Sequence, residues 1–271
     1  MPSRRKFDFS RSVLEPAAAP LLALLILGAW QLVVPIAGIS EFVLPTPWTI
    51  VKRIVADWAL LGTNAWITAL EVLFGFAIAV VTGIPTALMI FYSRVFERAV
   101  YPLLVALQTV PKVVLAPLLV LYLGYDWAPK IFLAFLISFF PIVIATVVGL
   151  QSLERPMISL LRAMGANEWQ IFRKLRIPAA LPNIFGGFKV AIGLAVIGAV
   201  IGEYVAAERG IGYLQLQANA KFDTALSFAA VVVISLVGVL LFSIISFLER
   251  RIVFEDTPPA IMVDIDVNLK L

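Results

Sequence analysis

The sequence predicts an all-α membrane protein with six transmembrane helices and both termini in the cytoplasm. Three observations carry that expectation. Of the 271 residues, 62% are hydrophobic and only 14% are charged, with a mean hydropathy of +1.01, whereas a soluble domain carries about 25% charged residues. Apolar runs of the roughly 20 residues needed to cross a bilayer core recur six times along the chain. Finally, Lys and Arg are unevenly shared between alternate loops: fourteen of the 21 fall on one set, five on the other and two within the runs. The richer set faces the cytoplasm.

Composition also excludes chemistry. The chain has no Cys and no His, which removes disulfides, Cys/His zinc sites and imidazole acid–base catalysis. No Gly-x4-Gly-Lys-Ser/Thr phosphate loop is present, so the chain does not hydrolyse nucleotide itself. The net charge of +4 reads as a topology signal, and no nucleic-acid partner is expected.

A cytoplasmic segment, residues 1–16, carries Arg4, Arg5, Lys6 and Arg11. The first run, about Ala17–Gly38, is too long for a signal-peptide core and lacks a small-residue cleavage site, so it is expected to be a retained helix. The second run, about Asn64–Ile90, exceeds the minimum length and implies tilt. The third, about Ala99–Leu123, contains Pro102, Pro111 and Pro117, and the fourth, about Ile131–Leu150, contains Pro141. The fifth and sixth are about Ile184–Val205 and Leu226–Leu248. Residues 17–250 thus form the membrane domain, and 251–271 a cytoplasmic tail. The external loops 39–63, 124–130 and 206–225 are short, and no internal repeat is visible.

The cytoplasmic loop 151–183 is the most ordered in its chemistry. Pro156 suits a first helical turn, and Met157, Leu160, Leu161 and Met164 recur at spacings of three and four, giving one apolar face. Gly165 can take the left-handed conformation that ends such a helix, and Asn167 with Gln170 reads as a capping box. A second amphipathic stretch, Glu168–Arg176, carries Trp169 and Phe172 and is expected to stop at Pro178 and Pro182. Two short surface helices joined by a glycine turn result. They rest on lipid headgroups or insert into a groove on a cytosolic partner.

Ionisable residues at membrane depth are functional candidates, because charge there is costly. Lys112 lies about thirteen residues into the third run, between Pro111 and Pro117. It reads as a cavity-lining cation, or as a structural partner of Glu71 or of a carbonyl freed by proline. Lys189, near the start of the fifth run, snorkels to headgroups. Glu203, near the outer end, borders an external gate or reaches water. In the same run Gly187, Ala191, Ala195 and Ala199 recur every fourth residue, beside Gly198 and Gly202. Small residues at that spacing allow close helix approach, within one subunit or between two.

The stretch from Leu161 to Pro182 resembles the signature loop of permease subunits of bacterial ABC importers. That pattern reads Glu-Ala-Ala, three residues, Gly, nine residues, then Ile-x-Leu-Pro. Gly165, the nine-residue gap, Leu175, Ile177 and Pro178 match it, while Ser159-Leu160-Leu161 stands where Glu-Ala-Ala is usual. The likeness runs from about Val43 to Arg251. It is strengthened by Leu44-Pro-Thr-Pro47, Thr68-Ala-Leu-Glu71-Val-Leu-Phe-Gly75-Phe76, Pro111-Lys112-Val-Val-Leu-Ala-Pro117 and Gly210-Ile-Gly212-Tyr213. Within the family, the branch serving nitrate, sulfonates, taurine and thiamine or riboflavin precursors is the most similar.

The resemblance implies the type I importer arrangement in a bacterial inner membrane. It implies a homodimer with the pathway between the two copies, two cytosolic ATPases holding ATP and Mg, and an extracytoplasmic binding protein. This chain would itself hold no cofactor. Leu161, Arg162, Ala163, Met164, Gly165, Ala166, Trp169 and Pro178 would form the ATPase-coupling loop, and Glu71, Lys112, Gly198, Gly202 and Glu203 the pathway or gate. The cargo would be a small polar organic or anionic solute. The competing classes are a secondary transporter independent of ATPase and an intramembrane enzyme. The second lacks any Ser/His or paired-Asp motif at depth. In the tail, Val263-Asp-Ile265-Asp-Val267-Asn-Leu269-Lys-Leu271 alternates strictly, the period of a strand with one apolar face, by chance or as a strand that docks on a cytosolic surface.

Overall fold

The computed structural model describes residues 9–153 and 155–253, and among them every regular element is helical. In chain order these are α1 (Phe9–Ile36), α2 (Pro47–Ala56), α3 (Trp58–Tyr92), α4 (Arg94–Thr109), α5 (Lys112–Leu123) and α6 (Trp127–Gln151). There follow α7 (Arg155–Ala163), α8 (Glu168–Ile171), a π turn (Phe172–Arg176), α9 (Ile177–Ala206), α10 (Ile211–Ala220) and α11 (Thr224–Val253). The alternating tail segment, residues 263–271, lies outside the described residues.

Among the described residues, four helices are long and apolar enough to cross a membrane: α3, α6, α11 and the continuous stretch Glu168–Ala206 that contains α9. The third expected span is not one straight helix. It breaks into α4 and α5, bent by 96°, and counts as a fifth span only as that pair. The break falls at Pro111: Val110, preceding it, is extended at φ −68°, ψ 125°, the conformation favoured before proline. Lys112 consequently opens α5 rather than lying thirteen residues down a straight helix. In α1 the apolar stretch is Pro20–Ile36. Most of its side chains are exposed, and it meets the bundle near its C-terminal end, where Gln31 Oε1 accepts from the Trp48 amide at 2.9 Å and Trp30 packs on Phe228.

The expectation of two separate surface helices is corrected at Pro178. Instead of stopping there, α8 passes through the π turn directly into α9, making one helix of 39 residues. The Ile177 amide donates to Phe172 O, five residues back. This wider turn immediately precedes Pro178 and accommodates it within the continuous helix.

The core is a layer of α3, α6 and α9. Val72, Phe76 and Ala79 of α3 meet Ala134 and Ile142 of α6, and Ala191, Ile192, Ala195 and Ala199 of α9. In lipid, helix association rests on close packing rather than on burial from water, and alanine and glycine permit it. A second cluster at the α2 end joins Ile50, Leu61, Ile211, Leu214 and Leu226. The α4 helix is held through Leu104 against Ile90, Phe140 and Val147.

Candidate functional site

At one end of the bundle, α7 and α8 form an elbow. The Ala166 amide donates to Leu161 O and the Gly165 amide to Arg162 O, each at 3.0 Å, the paired closure of a helix whose next residue is left-handed. Gly165 occupies that position at φ +86°. The α8 helix starts at once. Asn167 Oδ1 accepts from the Gln170 amide at 2.8 Å, and Gln170 Oε1 accepts from the Asn167 amide at 2.9 Å. Arg162 Nε donates to Glu168 Oε1 at 2.7 Å across the turn.

This scaffold holds an apolar face out of the protein. Met164 is 74% exposed and Trp169 66%, and Met157, Leu160 and Ala163 are exposed as well. Leu161 and Ala166 are half-buried and, with Met164, Gly165, Gln170 and Lys174, line a shallow cavity of about 340 Å³. The elbow is seated on the bundle from beneath. Phe172 packs its ring on Tyr92 and Trp169. Arg176 lies 4.9 Å above the Phe91 ring and donates to Leu150 O. The structure places Leu161–Ala166 and Trp169 on or beside this turn, and Pro178 near the start of α9.

The opposite end holds a buried polar cluster. Lys130 Nζ lies 2.6 Å from Glu71 Oε1, with side-chain exposures of 6% and 0%. Glu203 is likewise buried, at 1%, so it neither reaches water nor ends at the surface. Its Oε1 accepts from Thr68 Oγ1 at 2.5 Å and its Oε2 from the Gly212 amide at 2.5 Å. Thr68 Oγ1 accepts from the Ile211 amide at 2.9 Å, and Asn64 Oδ1 from the Gly210 amide at 2.8 Å. A buried ion pair survives in a low-dielectric setting when its partners are close and paired.

Three members of this cluster were missed from the sequence. The sequence puts Lys130 at the end of an external loop, whereas it lies in the first turn of α6. The missing signal was Glu71 itself, a carboxylate at depth that requires a cation. Asn64, Thr68 and Glu71 are spaced four and three apart, one face of a helix, and that spacing was legible.

Lys112 does not meet Glu71. Its Nζ donates to Gln108 O at 2.6 Å and lies 5.6 Å from the Phe140 ring centre, so it takes up a carbonyl next to the Pro111 break. With Gln108, Ile137, Phe140, Ile144 and Leu194 it lines a cavity of about 260 Å³. Lys189 pairs with Glu249 of α11 rather than reaching headgroups. Gly198 and Gly202 face α6: a Cβ at Gly198 would stand 2.7 Å from Ala134 Cα, and one at Gly202 2.8 Å from Lys130 Cα. The small-residue stripe is used within the chain.

Residues 75–254 match the family model described as "binding-protein-dependent transport system inner membrane component". The formylaminopyrimidine transport permease protein of Halalkalibacterium halodurans is 38% identical over 242 residues, covering 89% of this chain and 95% of that one. The riboflavin transport system permease protein of Chloroflexus aurantiacus is 36% identical, covering 86% and 88%. The putative aliphatic sulfonates transport permease protein of Bacillus subtilis is 30% identical, covering 93% and 89%. Among solved structures, an inward-facing MetNI methionine ABC transporter chain superposes with a TM-score of 0.63 at 21% identity, covering 75% of this chain and 99% of that one, which shows a shared fold. A helical bundle of apolar spans, a capped elbow on the signature-loop residues and these relatives agree: the chain belongs to the binding-protein-dependent transport system inner membrane component family and is the multi-pass permease subunit of a bacterial ABC importer, with ATP hydrolysis on a separate subunit.

Proposed function

We propose that two copies of this chain enclose the pathway for a small polar organic or anionic solute, delivered by an extracytoplasmic binding protein. Two cytosolic ATPases, holding ATP and Mg, dock on the elbow within residues 151–183. Closure of the ATPases draws the elbows together and switches the cavity between inward and outward access, as rigid-body motion. The observation that carries this reading is the elbow's apolar face, exposed through Met157, Leu160, Met164 and Trp169 on a turn closed by backbone bonds and a capping box. An apolar helix face of that kind is what a groove on a partner receives.

The orientation follows from the Lys and Arg excess on the elbow side, which places both termini in the cytoplasm. Six spans result when α1 and the bent α4–α5 pair each count as one. Lys112, beside its cavity and the break, lines the pathway. Glu71, Glu203, Gly198 and Gly202 set the α3–α6–α9 packing that frames the gate. Thiamine-precursor or riboflavin-like cargo is favoured over sulfonates, supported by the higher identity to the formylaminopyrimidine and riboflavin permeases.

Reconstitution tests the reading. Proteoliposomes holding this chain, its ATPase and its binding protein should take up labelled pyrimidine or flavin only with ATP on the ATPase side. Replacing Gly165 by Leu forces a side chain into the left-handed region, at about 1–2 kcal/mol, and should abolish ATPase association while the chain still inserts. Gradient-driven uptake without any ATPase would restore the secondary-transporter reading.

A further inference from the structure

The two ends of the bundle are joined by one element. From Glu168 in the elbow to Ala206 the backbone is helical without interruption over 39 residues, about 58 Å at 1.5 Å per residue. Near its far end stands Glu203, and Glu203 does not point at a neighbouring span alone. It receives the Gly212 amide, and through Thr68 it is tied to the Ile211 amide, while Asn64 receives the Gly210 amide. The first amides of α10, which a helix leaves unmade at its N-terminus, are thus taken up by side chains from α3 and α9. The α10 helix is short, only ten residues, and is followed by a turn through Lys221 and Phe222 to α11. Farther along, Ile211, Leu214 and Ala218 pack in an apolar cluster, and Gln215 accepts from Tyr204 Oη of α9 at 2.6 Å and donates to Ser227 Oγ of α11 at 3.3 Å.

We infer that Glu203, with Thr68 and Asn64, is a positioning latch that ties α10 to the elbow-bearing helix and to α3, so that α10 shifts when the elbow moves. This inference rests on the reading of the elbow as the ATPase dock. The latch is chemically selective. The amides of Gly210, Ile211 and Gly212 make three directional bonds of 2.5–2.9 Å that fix the height and rotation of this end of the helix. The ion pair of Glu71 and Lys130 lies beside Glu203. Lys130 pairs with Glu71, and Asp126, Glu208 and Arg209 are the other charged groups lining the cavity beside Lys130.

The test uses the full complex in nanodiscs, with a single cysteine in place of Leu216, an exposed residue of α10, and a membrane-impermeant maleimide. The labelling rate should change between nucleotide-free and ATP-bound states, by about fivefold or more if the sites are coupled by an ordinary allosteric free energy. Adding Thr68→Val, which removes both the donor to Glu203 and the acceptor for Ile211, should flatten that nucleotide response, with ATPase association and basal hydrolysis unchanged. Asn64→Ala should flatten it in part. A merely structural role predicts a lower yield of complex with the nucleotide response intact in what assembles, and that result overturns the latch. A wild-type rate insensitive to nucleotide, with ATPase bound and active, overturns it too and leaves the docking reading standing. Failure of the ATPase to bind the elbow would instead refute the docking reading.

Discussion

Lys130→Met removes the cation from a carboxylate that has no access to water. With 2.6 Å between Lys130 Nζ and Glu71 Oε1, two unit charges at an effective dielectric of ~20 attract by about 6 kcal/mol before desolvation is subtracted. Deleting one partner strands the other, and such losses run to about 3–5 kcal/mol. The single variant should lose that much stability, and Glu71→Gln alone should also be destabilised, because it strands the ammonium. The double variant removes both charges and should recover most of the loss, since an apolar or neutral replacement of a buried pair is close to neutral. Unfolding by titration with a denaturing detergent, followed by helical circular dichroism, gives the four free energies of the cycle. A Lys130→Met protein as stable as the parent, or additive single and double effects, would refute the ion pair as an energetic unit.

Further outcomes follow from other parts of the bundle. Gly198→Ala places a Cβ 2.7 Å from Ala134 Cα and Leu133 O, so α6 and α9 must separate at a cost of about 1–3 kcal/mol. Gly193→Ala, with nothing within 4 Å, should be neutral in the same melting assay. Lys112→Met loses the bond to Gln108 O and should cut uptake while the complex still assembles. Failed assembly would mark Lys112 as a brace for the Pro111 break. Single cysteines at Thr63 and Lys221 should label from outside intact cells, and those at Ser93 and Gln170 should not. Labelling at Gln170 would reverse the orientation.

Local signals were read well because their causes are local. The Gly165 turn and the Asn167–Gln170 box depend on residues within one or two turns, and both stand at the expected positions. The disruption at Pro111 was marked by the proline, but its 96° consequence was not, because the bend depends on how α4 packs against Ile90 and Phe140. The stop expected at Pro178 does not occur, because the π turn before it accommodates the proline. Lys130 was unreadable for a different reason: its partner lies 59 positions earlier, and hydropathy assigns a lysine near a span's end to water. The glycine stripe showed that α9 packs closely, while which helix it meets is a property of topology.

The docking of the elbow is tested most directly by a crosslink. The chain contains no cysteine, so Met164→Cys introduces a single thiol on the most exposed point of the apolar face. In membranes containing the assembled importer, a short bifunctional maleimide–amine reagent should join that thiol to the ATPase subunit, and a thiol at Val81, exposed on the mid-span surface of α3, should not reach it. Crosslinking of Met164→Cys to lipid-facing or extracytoplasmic proteins, with no ATPase adduct in an ATP-hydrolysing complex, would contradict the account.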